Sequence, residues 1–313
     1  METLAIVIDN PGQLDLRKVA LREPGQGDVI VETHFSGVSS GTERLFWSGE
    51  MPFFPGMGYP LVPGYETVGV VVDNRGSKKL KVGDYVFVPG ANCYENVKGL
   101  FGASSCLLIA SDTKLIKIDP ELKAKGTLFA LAATARHAIA GLGNKLPSLI
   151  IGHGVLGRLL ARLTIAAGGE PPIVWESNPQ RAERQTDYEV IDPARDNSSD
   201  HEAIYEASGD VGVLDKIIPK LKKNGEIVFA GFYSSPISFS FPPAFMKEAR
   251  FRISAEFNTE DINITKSLLE TGALSLEGLV SHEKSANFSK AAYRQSFEDP
   301  ECLKMVIDWR DAA

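Results

Sequence analysis

With 313 residues, 43% of them hydrophobic and 23% charged, the chain can bury one large core or two, and its composition is that of a folded globular protein without repeats or low-complexity tracts. The formal net charge of -7 argues against the basic face that nucleic-acid binding requires; the runs Lys78-Lys79-Leu80-Lys81 and Lys220-Leu221-Lys222-Lys223 read as solvated turns. Three widely spaced cysteines (Cys93, Cys106, Cys302) exclude a disulfide scaffold or a four-cysteine zinc lobe, and five scattered histidines form no His-x-x-x-His pair, so no protein-bound metal is expected.

The N-terminal METLAIVIDNPG holds only five consecutive apolar residues, flanked by Glu2 and Asp9, which reads as a strand rather than a signal sequence. No segment approaches the roughly 20 apolar residues of a membrane span, and a cytoplasmic location is expected. The runs LAIVID, DVIVETHFSGV, TVGVVVD, DYVFV and CLLIA, separated by NPG, PGQGD and NRGS, predict a β-rich, barrel-like domain over residues 1–120. Within it, residues 45–59 carry Phe46, Trp47, Phe53, Phe54 and Tyr59 in a Gly- and Pro-rich stretch that predicts a loop rather than a helix or strand. Such a loop either offers apolar area to a ligand or pins itself to its own domain.

From about residue 120, strands alternate with helix-length segments, the pattern of a parallel sheet built from βαβ units. Strands are expected at 148–152, 173–176, 189–192, 204–208, 226–231 and about 252–256, a doubly wound domain over 121–257. The last helix-like segment and LKMVIDW are expected to rejoin the first domain, adding 258–313 to it. The apolar FAGFYSSPISFSF region reads either as core or as the interface of a homodimer.

The strongest motif is Leu149-Ile-Ile-Gly-His-Gly-Val-Leu-Gly157, a strand running into Gly-x-Gly-x-x-Gly and then the apolar-periodic RLLARLTIAAG. Gly152 permits the tight turn, Gly154 admits a pyrophosphate, and Gly157 lets the helix pack on the strand. The phosphates, beside His153, Val155 and Leu156, then meet the free N–H groups of the helix N-terminus. Glu176 ends the next strand, VWE, 19 residues beyond Gly157, placed to accept both adenosine ribose hydroxyls; a 2′-phosphate there meets like charge, which favours NAD over NADP. The His153 ring either covers the pyrophosphate or faces solvent, and Ser208 and Gly209 of EASGD are expected beside the nicotinamide half.

A β-rich first domain, the frame Gly64-Tyr-Glu-Thr-Val-Gly69, the turn Val82-Gly-Asp-Tyr-Val86 and a following Rossmann unit together resemble the medium-chain dehydrogenase/reductase superfamily. The resemblance implies an α/β protein with a GroES-like β-rich catalytic domain and a doubly wound parallel-sheet Rossmann domain. It also puts Ser39, in Gly37-Val-Ser-Ser-Gly-Thr42, where zinc members have a cysteine ligand, and Tyr65 where they have a histidine. The third ligand position falls at or near Ala130, and the segment ANCYENVKGLFGASSC offers only two cysteines for a structural zinc loop. Glu66 alone is retained, so a zinc-free member is implied. Thr134, in Thr134-Ala-Arg-His-Ala, corresponds to a contact with nicotinamide or its ribose.

More narrowly, SGVSSGTERLFWSGEMPFFPGMGYPLVPGYE is similar to a zinc-free dehydrogenase family of bacteriochlorophyll biosynthesis. That resemblance implies NAD-dependent oxidation of the C3 1-hydroxyethyl group of a bacteriochlorophyllide or chlorophyllide to acetyl. Such a reaction needs a hydride acceptor and a base. Tyr65 is the first candidate for the base or for a relay, although an unperturbed phenol titrates at about 10; the alternative is that it fills the vacated zinc cavity. His137 is either a second candidate base or a packed helix residue. Ser39, Ser40 and Thr42 either bind the substrate hydroxyl or form a turn, and Glu66 neighbours Tyr65 but sits on the opposite face of a strand. A zinc-free quinone or enone reductase and a non-catalytic NAD-binding pigment carrier are the competing readings.

Overall fold

Alternating apolar residues in DVIVETHFSGV bury Val29, Val31, Phe35 and Val38 and make the longest strand, Asp28–Val38. The structure, a computed structural model, describes residues 1–141, 143–182 and 187–312. It contains two compact units, Met1–Ala130 with Leu276–Ala313, and Leu131–Ser275.

In the first unit, Asp28–Val38 lies at the centre of a seven-stranded sheet. It pairs antiparallel with Met305–Asp308 on one side and with Thr67–Asp73 on the other, and Leu107–Ser111 also pairs with it. Its Val38 lies opposite Met305, so the segment LKMVIDW does rejoin the β-rich domain. A second sheet has the order Gln13–Ala20, Glu2–Asn10, Leu61–Val62, Lys98–Gly99. The strand Gln13–Ala20 was not among the expected ones: QLDLRKVA has weak apolar alternation, and the tight turn at Gly12 (φ +75°), rather than burial, folds it back on Glu2–Asn10.

One expectation is corrected here. Residues 45–48 are not loop but the end of a helix, Thr42–Ser48, which closes at Gly49 in the left-handed region (φ +77°). The Gly and Pro density that argued against a helix begins only at this C-cap, and TERLFWS ahead of it has no helix breaker.

The second unit is a six-stranded, all-parallel sheet in the order Val190–Ile191, Ile173–Trp175, Leu149–Ile151, His201–Glu206, Leu221–Phe229, Arg250–Ile253. Each expected strand is present. The strand order reverses beside Leu149–Ile151, so the crevice at its carboxyl end is the switch point of a doubly wound sheet. The units divide after Ala130 and Ser275 rather than at 120 and 258. The helix Thr259–Glu270 stays with the parallel sheet because fully buried Asp261, in its first turn, binds Arg136 and His137, each at 2.7 Å. Among the described residues, no helix is long and apolar enough to cross a membrane.

Candidate active site

The glycine turn is shaped by exclusion of side chains. Gly152 has φ +96°, and a Cβ there would stand 2.9 Å from Ser208 Cα. A Cβ on Gly157 would overlap the Gly152 carbonyl, so the helix Val155–Ala166 rests directly on the turn. Gly154 is different: nothing described lies within 4 Å of its absent Cβ, and as N-cap it supplies no side-chain acceptor. Open space therefore adjoins the N-terminus of a 12-residue helix, a cradle that fits a dinucleotide pyrophosphate.

His153 does not take part as envisaged. Its ring is fully buried, with Nδ1 at 3.0 Å from the Arg181 carbonyl and Nε2 at 3.0 Å from the Tyr188 hydroxyl. Buried Arg158 donates to the carbonyls of His153 and Arg181. The histidine thus fastens the turn to the neighbouring segment and cannot lie over a phosphate.

Glu176 is half-buried just beyond Ile173–Trp175, and its Oε1 accepts the Asn178 N–H at 2.7 Å, which fixes the carboxylate at the sheet edge. Ser208 and Gly209 are exposed at the carboxyl end of His201–Glu206. Both are held by fully buried Glu206, which accepts the Ser208 N–H at 2.7 Å, the Gly209 N–H at 3.3 Å and the Ser208 hydroxyl. Burial pushes the Glu206 carboxyl up to about 7. Sequence reasoning passed over Glu206, although an acid immediately before a Ser-Gly turn was the available signal.

Thr134 and His137 lie half-buried on the helix Phe129–Ile139. His137 Nδ1 is engaged by Asp261, which also holds Arg136, so the packed-helix reading of His137 accounts for its contacts.

In the first unit, three of the residues singled out come together. The Tyr65 hydroxyl lies 2.9 Å from Ser39 Oγ and 3.4 Å from Thr42 Oγ1, and its ring meets Phe101 edge-on at 5.3 Å. Ser39 Oγ also accepts the Thr42 N–H at 3.2 Å, while Ser40 is exposed in the turn. Burial, and next the Glu66 charge, push the Tyr65 phenol well above its ordinary range. That is opposite to the tuning a general base needs.

Glu66 is fully buried and ion-paired to buried Lys304; its Oε1 has no hydrogen-bond partner among the described residues. Gly37 must lack a side chain because a Cβ would sit 2.9 Å from Lys304 Cε. Glu43 is also buried and accepts the Tyr293 hydroxyl at 2.6 Å. Glu43, Tyr293 and Lys304 were not legible: Lys304 and Tyr293 are remote in sequence, and Glu43 reads as an ordinary helix-start acid.

This donor set does not fit a catalytic zinc. Ser39 and Tyr65 present neutral oxygens, Ala130 is a buried methyl, and the described residues contain no group of three or more His, Cys, Asp or Glu arranged to hold a metal. Zinc in proteins takes thiolate, imidazole or carboxylate.

The aromatic stretch divides. Phe46 is fully buried in the core that also contains Tyr293 and Met305, and is corrected from ligand contact to packing. Phe54 packs on it at 6.5 Å, and the Tyr59 hydroxyl donates to the Phe46 carbonyl at 2.5 Å, so both pin the loop. Trp47 lines an open groove of about 840 Å³ with Leu14, Lys290 and Arg294, and Phe53 is 85% exposed.

A family model for the alcohol dehydrogenase GroES-like domain matches residues 25–120. The chain is 53% identical to the 2-desacetyl-2-hydroxyethyl bacteriochlorophyllide A dehydrogenase of Cereibacter sphaeroides and 52% identical to that of Rhodobacter capsulatus, each match covering 100% of both chains. In fold it is similar to 2R,3R-butanediol dehydrogenase from Bacillus subtilis, with TM-score 0.84 at 19% identity over 99% of this chain and 100% of that one. L-idonate 5-dehydrogenase from Escherichia coli gives TM-score 0.85 at 17% identity over 99% of each chain. With a GroES-like domain, a Rossmann-type parallel sheet and more than half of its residues shared over the full length, the chain belongs to the family of the 2-desacetyl-2-hydroxyethyl bacteriochlorophyllide A dehydrogenases, oxidoreductases of the alcohol dehydrogenase type.

Proposed function

We propose that the chain oxidises the C3 1-hydroxyethyl group of a bacteriochlorophyllide, or of a chlorophyllide analogue, to an acetyl group with NAD and without a metal, in the cytoplasmic synthesis of bacteriochlorophyll. The observation that carries this reading is the full-length identity of 53% to a dehydrogenase named for that substrate. NAD rather than NADP is favoured by Glu176, whose carboxylate accepts ribose hydroxyls and repels a 2′-phosphate. The nicotinamide supplies a hydride acceptor.

The chain's own residues supply the remainder. The turn Gly152, Gly154 and Gly157, with Val155 and Leu156 opening the helix, holds the pyrophosphate, while Ser208, Gly209 and Thr134 border the nicotinamide half. Tyr65, with Ser39 and Thr42 behind it, takes the substrate hydroxyl by hydrogen bonding. Zinc assists ordinary alcohols by stabilising an alkoxide. A carbinol attached to a conjugated macrocycle spreads the positive charge that develops as hydride leaves, and so depends less on that help. Phe53 and Trp47 remain available to stack on a large flat ring.

The same reading includes a homodimer. Arg250–Ile253 is an edge strand that pairs only with Leu221–Phe229 among the described residues. Ile253 is 78% exposed, and Phe241, Phe245 and Met246 are exposed nearby in sequence. The stretch after Ala230 is therefore surface and not core. A second copy, with its identical edge related by a two-fold axis, covers both the open backbone and the apolar side chains.

The test is to incubate purified protein with the hydroxyethyl pigment and NAD or NADP and to follow the visible band that moves when an acetyl group joins the conjugated system. Turnover with NAD at an unchanged rate after metal removal is the expected result. Pigment binding without a spectral shift would establish a carrier instead, and one firmly bound zinc per chain would overturn the metal-free chemistry.

A further inference from the structure

Two turns meet at the carboxyl edge of the parallel sheet, one after Leu149–Ile151 and one after the neighbouring strand His201–Glu206. Gly152 of the first faces Ser208 of the second so closely that a Cβ on it would stand 2.9 Å from Ser208 Cα and 3.0 Å from Ser208 N. Each turn also has a glycine with room beside it: nothing described lies within 4 Å of the absent Cβ of Gly154 or of Gly209.

The second turn has little of its own to hold it. Ser208, Gly209 and Asp210 are exposed, and Gly209 lies in the left-handed region (φ +76°). A Ser-Gly turn of this kind loses much conformational freedom when it is fixed. Glu206 fixes it in advance. The backbone at this point is tied to the strands on both sides, for Ala207 donates to the Ile151 carbonyl and Ala230 donates to the Glu206 carbonyl, each at 2.9 Å. The fully buried carboxylate accepts the Ser208 N–H at 2.7 Å and the Ser208 hydroxyl on Oε1, and the Gly209 N–H at 3.3 Å on Oε2. The Ser208 hydroxyl accepts the Asp210 N–H at 3.1 Å in turn. These three donors are spent on Glu206, so Ser208 and Gly209 serve a ligand by where they stand and not by donating to it.

We propose that Glu206 is a positioning residue for the nicotinamide end of the dinucleotide: by holding the Ser208–Gly209 turn against Gly152 it sets that end of the crevice before the cofactor arrives. The inference rests on the proposed reading in which Ser208 and Gly209 border the nicotinamide half. A turn already ordered spares the cofactor the cost of ordering it. The pyrophosphate seat at Gly154 belongs to the other turn, so loss of Glu206 should be felt at one end of the cofactor only.

ADP-ribose separates the two ends, because it has the adenosine and pyrophosphate of NADH and lacks the nicotinamide. Calorimetric titration of each ligand at pH 8, above the value of about 7 to which burial raises the Glu206 carboxyl, compares them without turnover. Glu206→Gln keeps the volume but replaces one acceptor oxygen by an amide NH2. It should weaken NADH about tenfold, as expected for the loss of a hydrogen bond to a charged group, and leave ADP-ribose within about twofold of native. Ser208→Ala, which keeps both N–H bonds to Glu206 and removes only the hydroxyl, should weaken NADH by about threefold and again spare ADP-ribose. In pigment oxidation, KM for NAD should rise in Glu206→Gln while KM for the pigment stays at its native value. A Glu206→Gln protein that binds both ligands as tightly as native, or loses affinity for both equally, overturns the proposal; should that variant fail to fold, Ser208→Ala decides it by the same comparison. The expected split in a protein that never oxidises the pigment sinks the proposed oxidation and leaves the role of Glu206 standing, whereas a native protein that binds neither ligand overturns both.

Discussion

At the scale of single residues, the glycines of the turn separate binding from folding. Gly154 has open space where a side chain would go, whereas Gly157 has a carbonyl. Gly154→Ala should leave the melting temperature within about 2 °C of native, because nothing in the fold must move, yet weaken NADH binding by at least about tenfold by filling the pyrophosphate seat. Gly157→Ala should instead lower the melting temperature by several degrees, as the helix is lifted from the strand. Equal effects on stability and affinity in both variants would mean that the turn is merely structural. Tyr65→Phe keeps the ring against Phe101 and removes the hydroxyl held by Ser39 and Thr42. Its kcat/KM for the pigment should fall by about 10²-fold with little change in stability. Full turnover by this variant would reduce Tyr65 to the packing role that its ring alone can fill.

At the scale of elements, what could be read from the sequence depended on whether the determinant is local. Short apolar runs bounded by Gly and Pro marked the main strands of both units, and the glycine spacing marked the nucleotide turn, because turn geometry and burial act on neighbouring residues. The helix Thr42–Ser48 escaped because its stop signal, Gly49, was read as a property of the whole stretch. The pairing of Glu66 with Lys304 and of Glu43 with Tyr293 could not be read at all, since only the return of the last strands brings these partners together. The helix makes opposite predictions for two aromatics that sequence treated alike. Phe46→Ala should cost about 3–5 kcal/mol in denaturant unfolding, as expected for a large buried ring. Phe53→Ala, at a residue 85% exposed, should leave stability unchanged and raise KM for the pigment. An unchanged KM would remove Phe53 from the substrate surface and leave Trp47 as the remaining candidate.

At the scale of the whole molecule, the buried acids make stability depend on pH in an unusual direction. Glu43 and Glu206 titrate at about 7 in the folded chain against an ordinary value of 4.5. A carboxyl whose pKa is raised by folding binds its proton more tightly in the native state than in the unfolded one. Its stabilising contribution is therefore full below about 4.5 and is lost as the pH rises through about 7. A shift of this size corresponds to roughly 3 kcal/mol per group, to be taken as an order of magnitude. Asp28 beside Arg22 and Asp84 beside Lys117 behave in the reverse sense, both held below the ordinary carboxylate range and stabilising while ionised. The Asp28 and Asp84 contributions change only below the ordinary value of 3.8, so between about pH 4.5 and 7 the two buried acids set the trend, and replacing one of them should flatten it. Glu43→Gln should be less stable than the native protein at pH 5, where Glu43 is protonated and at its most favourable, and should close that gap as the pH approaches 8. Chemical unfolding at the two pH values measures this difference directly. A stability gap that widens with pH would show that Glu43 is held ionised in the folded chain.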